Sequence, residues 1–242
     1  MKLTILGMNG PYPAPGGACS GYLLDTGTEK LQLDLGTGCL SALTALTAPE
    51  ELDALFFSHW HFDHCSDLLP LFYRLADAKA AGCAPLKVYG PEDPSMPVYR
   101  EAAASPLLEL HTLRPGDTVT VGHTEVRALR GRHPVTALMY RITSGGKTLA
   151  FTGDTNTTED LPALAENADL LLADGLFTDA LWAEGKPHLS ASLCARLAKE
   201  RGAKRLVITH LNPNIDRETL LKEARAILPG VELARCGMVC DF

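Results

Sequence analysis

Residues 58–67 read SHWHFDHCSD and directly follow the apolar run LDALFF. His59, His61, Asp63 and His64 crowd into six residues, and three of the chain's eight histidines are spent there. Imidazole and carboxylate are the usual ligands of zinc and also serve manganese and iron. His59 and His61 are two apart, so at an extended strand end they face the same way. Asp63 and His64 open the helix that follows. A polar loop that happens to contain histidine is the plain alternative, and the concentration of histidine here argues against it.

Four further apolar segments finish in a group of the same kind. His133 ends TEVRALRGR, Asp154 ends TLAFTG, Asp174 ends DLLLA and His210 ends RLVIT. One such ending is noise, but five in one chain are a pattern. These groups are too many for one tetrahedral ion and suit two ions that share a bridging carboxylate.

The elements that must position them follow from periodicity and turn signals. Residues 2–7, 21–27 and 30–36 read as strands, the last two as a hairpin. Residues 39–46 read as a short helix, and LDALFFSH as a buried strand that ends at the histidines. Leu68, Leu71, Phe72 and Leu75 recur at helical spacing. A strand over 86–91 and a helix over 98–108 follow. Strands then cover 118–133 and 137–154, with a Gly-Gly turn inside the second. Thr157 and Asp160 resemble a capping box for a helix over 157–167. The remainder reads as strand 168–177, helix 190–202, strand 204–210, helix 216–230 and a final strand over 231–242. The plan is β-rich, then alternating, then repeated, with no low-complexity linker, so one domain over 1–242 is expected. Two packed sheets with helices outside both would cover every face, and the strand ends would gather the ligand groups on one rim.

Composition narrows the classes. The chain has 242 residues, of which 46% are hydrophobic, and a net charge of -7. That charge argues against a nucleic-acid-coated surface, though not against a small anionic substrate drawn to a metal. MKLTILGMNG lacks the long apolar core of a signal peptide, and no stretch approaches a membrane span. Seven cysteines without a CxxC pair argue against a disulfide framework or a thiolate zinc site. Mostly buried free thiols in a reducing cytoplasm are expected, with Cys236 and Cys240 on a strand and not a ligand pair.

HWHFDH fits the HxHxDH signature of the metallo-β-lactamase superfamily, and His133, the Asp154 of FTGDT and the His210 of VITH follow in that family's order. The resemblance spans the chain from the first strand to His210. It implies an αββα sandwich of two mixed β-sheets flanked by helices, with a dinuclear site at one rim. Carried over, it has His59, His61 and His133 hold one ion, Asp63, His64 and His210 the other, and Asp154 bridge them. Zinc is the expected metal, with manganese or iron as alternatives. His61 stands where flavin-linked diiron oxygen reductases have glutamate, and Asp154 where β-lactamases use cysteine. No extra domain of the glyoxalase II kind is expected.

Within the superfamily the chain is most similar to the ribonuclease Z-like phosphodiesterases. GACSGYLLDTG resembles their N-terminal hairpin, LLLADGLF their strand with an acidic end, and GKPHLSASLCARLAKERGAKRLVITHLNPN their stretch from a histidine to the last ligand. That resemblance implies that His188 helps the leaving group and is supported by Asp174, where the branch usually has the longer glutamate. The branch's tRNA-processing enzymes carry a long arm that clamps tRNA. Here twenty residues separate His133 from Asp154 and read as a plain hairpin. The expectation is therefore a phosphodiesterase acting on small phosphodiesters, such as cyclic or short nucleotides, with no stable nucleic-acid complex and no membrane partner. Two ions roughly 3.5–4 Å apart can lower the pKa of a bridging water to near 7 and clamp the phosphoryl oxygens. Asp63 would orient that hydroxide, and His188 would protonate the departing oxygen. A lactonase or thioesterase with the same metals, a tRNA 3′-end endoribonuclease, and a non-catalytic scaffold or redox sensor are the alternatives. Relatives in the branch often dimerise, so a homodimer is compatible. Ser20, Tyr22, Trp60 and Phe62 are placed near enough to line a pocket or to pack. His111 and His123 read as ordinary surface residues.

Overall fold

Apolar runs bounded by glycine and polar turns form fourteen strands in two seven-stranded sheets. The structure is a computed structural model that describes residues 1–242. The first sheet runs in the order β14 (Val239–Asp241), β1 (Lys2–Gly7), β2 (Gly21–Asp25), β3 (Lys30–Leu35), β4 (Ala54–Phe56), β5 (Leu86–Pro91) and β6 (Leu108–Leu113). The second runs β13 (Glu232–Leu233), β12 (Leu206–Thr209), β11 (Leu170–Asp174), β10 (Lys147–Phe151), β9 (Leu138–Ser144), β8 (Thr124–Arg130) and β7 (Thr118–Val121). Each sheet pairs its first strands antiparallel and its later ones parallel. The repeated plan read from the sequence is this duplication.

Direction decides where the site lies. β8 and β10 are both antiparallel to β9, and β10, β11 and β12 are parallel to one another. The C-terminal ends of β8, β10, β11 and β12 therefore emerge at one rim. β3 and β4 are parallel and bring their own C-terminal ends to it. The β9–β10 connection is the expected tight hairpin, because Gly145 and Gly146 both take positive φ (56° and 75°), which L side chains rarely adopt.

Between the sheets lie Tyr22, Leu24, Leu31 and Leu33 from one face and Val126, Tyr140, Ile142, Leu149 and Phe151 from the other. Fully burying side chains of this size contributes about 1.5–3 kcal/mol each. Helices α1 (Cys39–Thr44), α2 (Phe62–Cys65), α3 (Leu68–Ala80) and α4 (Pro97–Ala104) accompany the first sheet. α3 buries Leu68, Leu71, Leu75 and Ala78 at three- and four-residue spacing. α5 (Leu161–Ala165), α6 (Ala191–Glu200) and α7 (Arg217–Arg225) accompany the second sheet. Ser190 caps α6 by accepting from the Leu193 N–H, and Asp216 caps α7. No helix is long and apolar enough to cross a membrane.

At the rim opposite the C-terminal strand ends, Glu29 is buried in the turn between β2 and β3. Its carboxylate accepts from the His123 N–H at 2.8 Å and the Thr124 hydroxyl at 2.8 Å, fastening the β2–β3 turn of one sheet to the β7–β8 turn of the other.

Four readings are corrected. The helix expected over 98–108 ends at Ala104, because Pro106 forces Ser105 into extended backbone (ψ 126°), and 108–113 becomes β6. The final strand is two strands in different sheets, divided by a turn with Gly237 at φ 78°. Cys236 lies in that turn and is exposed, whereas Cys240 is buried. The helix over 157–167 shortens to Leu161–Ala165 without a side-chain cap, since the Asp160 carboxylate accepts instead from the Arg130 N–H at 2.8 Å.

Candidate metal centre

The chain leaves β4 through Ser58, His59 and Trp60, and His61 takes the N-cap position of α2. His133 follows β8, Asp154 follows β10, Asp174 closes β11 and His210 follows β12. Donor atoms of His59, His61 and His133 converge in one cluster, and those of Asp63, His64, Asp154 and His210 in a second. A cleft of about 170 Å³ opens onto both, with His61, Asp63, His133, Asp154, His188 and His210 in its walls beside Pro11, Pro134 and Pro187. A larger hollow of about 480 Å³ between α6 and α7 holds no such cluster.

Hydrogen bonding reveals which ring nitrogens carry lone pairs. His133 Nδ1 faces the Pro187 carbonyl at 3.2 Å, and a carbonyl only accepts, so the proton sits on Nδ1 and Nε2 is bare. Ser58 Oγ donates to Asp34 at 2.9 Å, so it accepts from His59 Nδ1 at 3.1 Å and leaves His59 Nε2 bare. Both bare nitrogens approach His61 Nδ1, at 3.0 Å and 3.1 Å. Burial lowers the proton affinity of all three rings, holding His133 at about 4. A proton on His61 Nδ1 could satisfy only one of these two bare nitrogens, whereas a cation among the three rings would satisfy all of them. Ligands about 2.0–2.1 Å from a tetrahedral ion stand roughly 3.3 Å apart, close to the spacing found.

The second cluster is acidic. His210 Nε2 lies 3.2 Å from Asp63 Oδ2 and 3.2 Å from Asp154 Oδ2. His64 Nε2 lies 3.2 Å from Asp154 Oδ1 and 3.6 Å from Asp63 Oδ2. Burial works to lower the His64 pKa, but Asp154, Asp63 and Asp34 more than offset it and drive the ring well above its ordinary value. Burial would raise Asp154, yet His210 and His64 hold its carboxyl well below the usual range. Although 3.2 Å apart, His64 Nε2 and Asp154 Oδ1 are not aligned for a hydrogen bond and are buried with no other partner, a costly state for protein groups and the ordinary one for metal ligands. Asp154 Oδ2 also lies 3.7 Å from His59 Nε2 and 4.0 Å from His133 Nε2, so one carboxylate faces both clusters. The donor set fits two divalent cations.

A family model for the beta-lactamase superfamily domain matches residues 22–211. The chain belongs to the metallo-β-lactamase superfamily. It is 31% identical over 244 residues to the Probable metallo-hydrolase YhfI of Bacillus subtilis, covering 100% of both chains. The crystal structure of that metallo-β-lactamase fold protein superposes with a TM-score of 0.92, covering 99% of this chain and 98% of that one. Ribonuclease Z of Methanosarcina acetivorans is 26% identical over 293 residues, with 97% of this chain and 95% of that one covered. Human tRNase Z, short form, has the same fold at a TM-score of 0.78 and 24% identity, covering 100% and 99%. This metallo-β-lactamase chain is a hydrolase, and its fold calls for divalent metal at the His/Asp clusters.

The superfamily site has an additional pair at its edge. His188 Nδ1 lies 2.7 Å from Asp174 Oδ2, so the shorter carboxylate reaches the ring. The Thr155 N–H at 3.1 Å and the Leu176 N–H at 3.3 Å also donate to Asp174 and fix it. Burial alone would lower the His188 pKa, but Asp174 and Asp154 push it up to about 9. The ring stacks on His210 at 4.8 Å between centroids.

Two supporting residues escaped the sequence reading. Asp34, fully buried on β3, accepts from His64 Nδ1 at 2.7 Å and from the Ser58 N–H at 2.7 Å. Such a carboxylate orients a ligand imidazole and raises its basicity. Its signal was the polar pair Gln32 and Asp34 inside an otherwise leucine-rich strand. Asn156, two residues past Asp154 and fully buried, gathers the loop before His188, donating to the carbonyls of Ala183 at 3.1 Å and Lys186 at 2.6 Å. Nothing in its local sequence marked it. His210 itself takes φ 57°, and a Cβ on Gly10 would stand 2.0 Å from its Nε2, so only glycine lets the first loop pass the ring. Trp60 is core, since its Nε1 donates to the Pro91 carbonyl at 2.7 Å. Tyr22 is buried with its hydroxyl 2.8 Å from Thr209, Ser20 is buried, and Phe62 is 57% exposed beside the ligands.

Proposed function

We propose that the chain is a phosphodiesterase for small phosphodiesters such as cyclic or short nucleotides, acting as one domain over 1–242. His59, His61 and His133 would hold one ion, Asp63, His64 and His210 the other, with Asp154 shared. Zinc suits this nitrogen-rich donor set best. When bound, the ions supply a nucleophile at neutral pH and stabilise charge on the phosphoryl oxygens. Asp63, at the cleft wall, orients the attacking water. His188 donates the proton that the departing oxygen needs, and Asp174 holds it in the tautomer that presents Nε2 to the cleft.

The observation that carries this reading is the 2.7 Å Asp174–His188 pair set 3.8 Å from Asp154 Oδ2. A charged imidazole beside a shared carboxylate suits an alkoxide leaving group at phosphorus. The short β9–β10 hairpin supports a small substrate over a folded tRNA precursor, and the ribonuclease Z relative supports a nucleotide one. Seven free cysteines, five of them buried, agree with a reducing cytoplasm. A homodimer of the kind common in the branch would be read by sedimentation.

The deciding experiment offers the metal-reconstituted protein bis-p-nitrophenyl phosphate, cyclic AMP, a dinucleotide, an acyl lactone, a thioester and a precursor tRNA. Hydrolysis of the small diesters with little turnover of the others is expected. Preferential turnover of the lactone or thioester replaces this reading with the carbon-centred one, and accurate tRNA cleavage replaces it with the processing enzyme.

A further inference from the structure

A second cavity of about 200 Å³ adjoins the metal cleft and shares His133, Pro134 and Pro187 with it as walls. Its other walls are Arg132, Gly185 and Lys186, and no large aliphatic or aromatic side chain lines it. Neither the Arg132 guanidinium nor the Lys186 ammonium pairs with a carboxylate within 4.0 Å or makes a side-chain hydrogen bond. What sets these two apart from the chain's other unpaired cations is their place, in the walls of a hollow that shares three residues with the metal cleft.

Exposed cations are usually solvated and mobile, but the backbone carrying these two is anchored. The Arg132 N–H donates to Thr155 Oγ1 at 2.9 Å, and its carbonyl accepts from the Asn156 N–H at 3.0 Å. The Lys186 carbonyl accepts from Asn156 Nδ2 at 2.6 Å, and Trp182 Nε1 donates to Asn156 Oδ1 at 3.1 Å. Both positions are thus pinned to the stretch that follows Asp154. Lys186 Nζ is also held 5.4 Å from the centre of the Phe177 ring. The backbone from which both side chains extend thus has a fixed relation to the cleft in which the scissile phosphate would lie.

Building on the phosphodiesterase reading, we infer that Arg132 and Lys186 form a subsite for a second phosphate of the substrate, a terminal phosphomonoester one nucleotide unit from the scissile bond. Two cations match the dianion of a monoester, and guanidinium and ammonium are the side chains that bind phosphate by charge-assisted hydrogen bonds. The two cations in the cavity's walls suit an anionic phosphate better than a neutral base. The substrates favoured would be phosphorylated short nucleotides.

Matched ligands test this with the metal-loaded full chain. Calorimetry should show adenosine 3′,5′-bisphosphate binding on the order of 10–100-fold more tightly than AMP, a factor in keeping with one or two charge-assisted contacts. In R132Q/K186Q that ratio should fall towards one. Hydrolysis of 5′-phosphorylated diadenylate should exceed that of the unphosphorylated dinucleotide by a similar factor, and the same variant should erase the preference. Unchanged ratios in a folded variant, or no preference in the parent, would remove the subsite while leaving the phosphodiesterase reading intact if the dinucleotides are cleaved. A binding ratio that collapses in protein unable to cut any diester would keep the subsite and remove the reaction. An equal gain from adding an internal diester, as in triadenylate, would mean that the site follows a nucleic-acid backbone and not a terminal monoester.

Discussion

Asp34 and His64 meet at 2.7 Å, Oδ2 to Nδ1, although one sits on β3 and the other on α2. The carboxylate thereby chooses which nitrogen of His64 is left to face Asp63 and Asp154. Asp34→Asn should weaken the ion held by Asp63, His64 and His210 by roughly 10–100-fold, as removal of an orienting partner typically does. The ion of the His59, His61 and His133 cluster should be affected less. Chelator competition that resolves the two sites checks this, and equal loss at both would count against the orienting role.

Asp154 approaches both the three-histidine cluster and the acidic one, whereas His210 joins only the acidic one of these two. About two divalent ions per chain are expected by elemental analysis of gently purified protein. Asp154→Ala should remove both and His210→Ala mainly one. Matching losses in the two variants would refute the shared position.

His188→Ala should keep its metals. On a nucleotide diester, whose alkoxide leaves poorly, activity should fall on the order of 10²–10⁴-fold, the range for a positioned acid. On bis-p-nitrophenyl phosphate the fall should be much smaller, because nitrophenolate leaves without help. Both substrates are to be assayed on one preparation of checked metal content. A common factor on the two would assign His188 to positioning and not to proton transfer.

Acid should loosen the far rim. Burial would raise the Glu29 carboxyl, but the His123 N–H and the Thr28, Thr124 and Thr26 hydroxyls more than offset it and hold it at about 2. Asp169 is likewise held at about 2, burial being outweighed by Lys204, the Thr148 N–H and Lys147. Groups depressed on folding stabilise above their unfolded pKa, near 4.3 for Glu and 3.9 for Asp, and that stability is lost as pH falls toward 2. Glu29→Gln should flatten the dependence of melting temperature on pH between about 4.5 and 2. A variant whose acid limb parallels the parent's would show that Glu29 is not its source.

Transfer RNA should bind weakly and with steep salt dependence, given a net charge of -7. Filter binding across salt concentrations checks this, and tight binding at physiological salt would contradict it.

The residues that end strands were legible because a lone polar group after an apolar run stands out, and because His59 to His64 share one short segment. The two-sheet plan was legible for the same reason, since the runs repeat in the same order. What stayed hidden depends on contacts remote in sequence. Asp34 looks like any polar residue on a half-exposed strand until His64 folds over it. Asn156 acts on carbonyls 27 to 30 residues ahead. β6 was obscured because its alternation is polar and follows a helical pattern through Pro106. The last strand was divided because Glu232–Leu233 and Val239–Asp241 find different neighbours across the sandwich, a choice local pattern does not encode.

β3 and β8 each run from the Glu29 rim to the His/Asp rim, one in each sheet. The sandwich therefore has a fastener at either end, and the two answer to different chemistry. His59, His61, Asp63 and His64 come from one sheet and His133, Asp154 and His210 from the other, so ions held among them would stitch the halves together there, while hydrogen bonds to one carboxylate do so at the far side. Chelators and acid should thus open the same molecule from opposite ends. Hydrogen exchange should show protection lost first around the β4–α2 loop in the one case and around the β2–β3 and β7–β8 turns in the other.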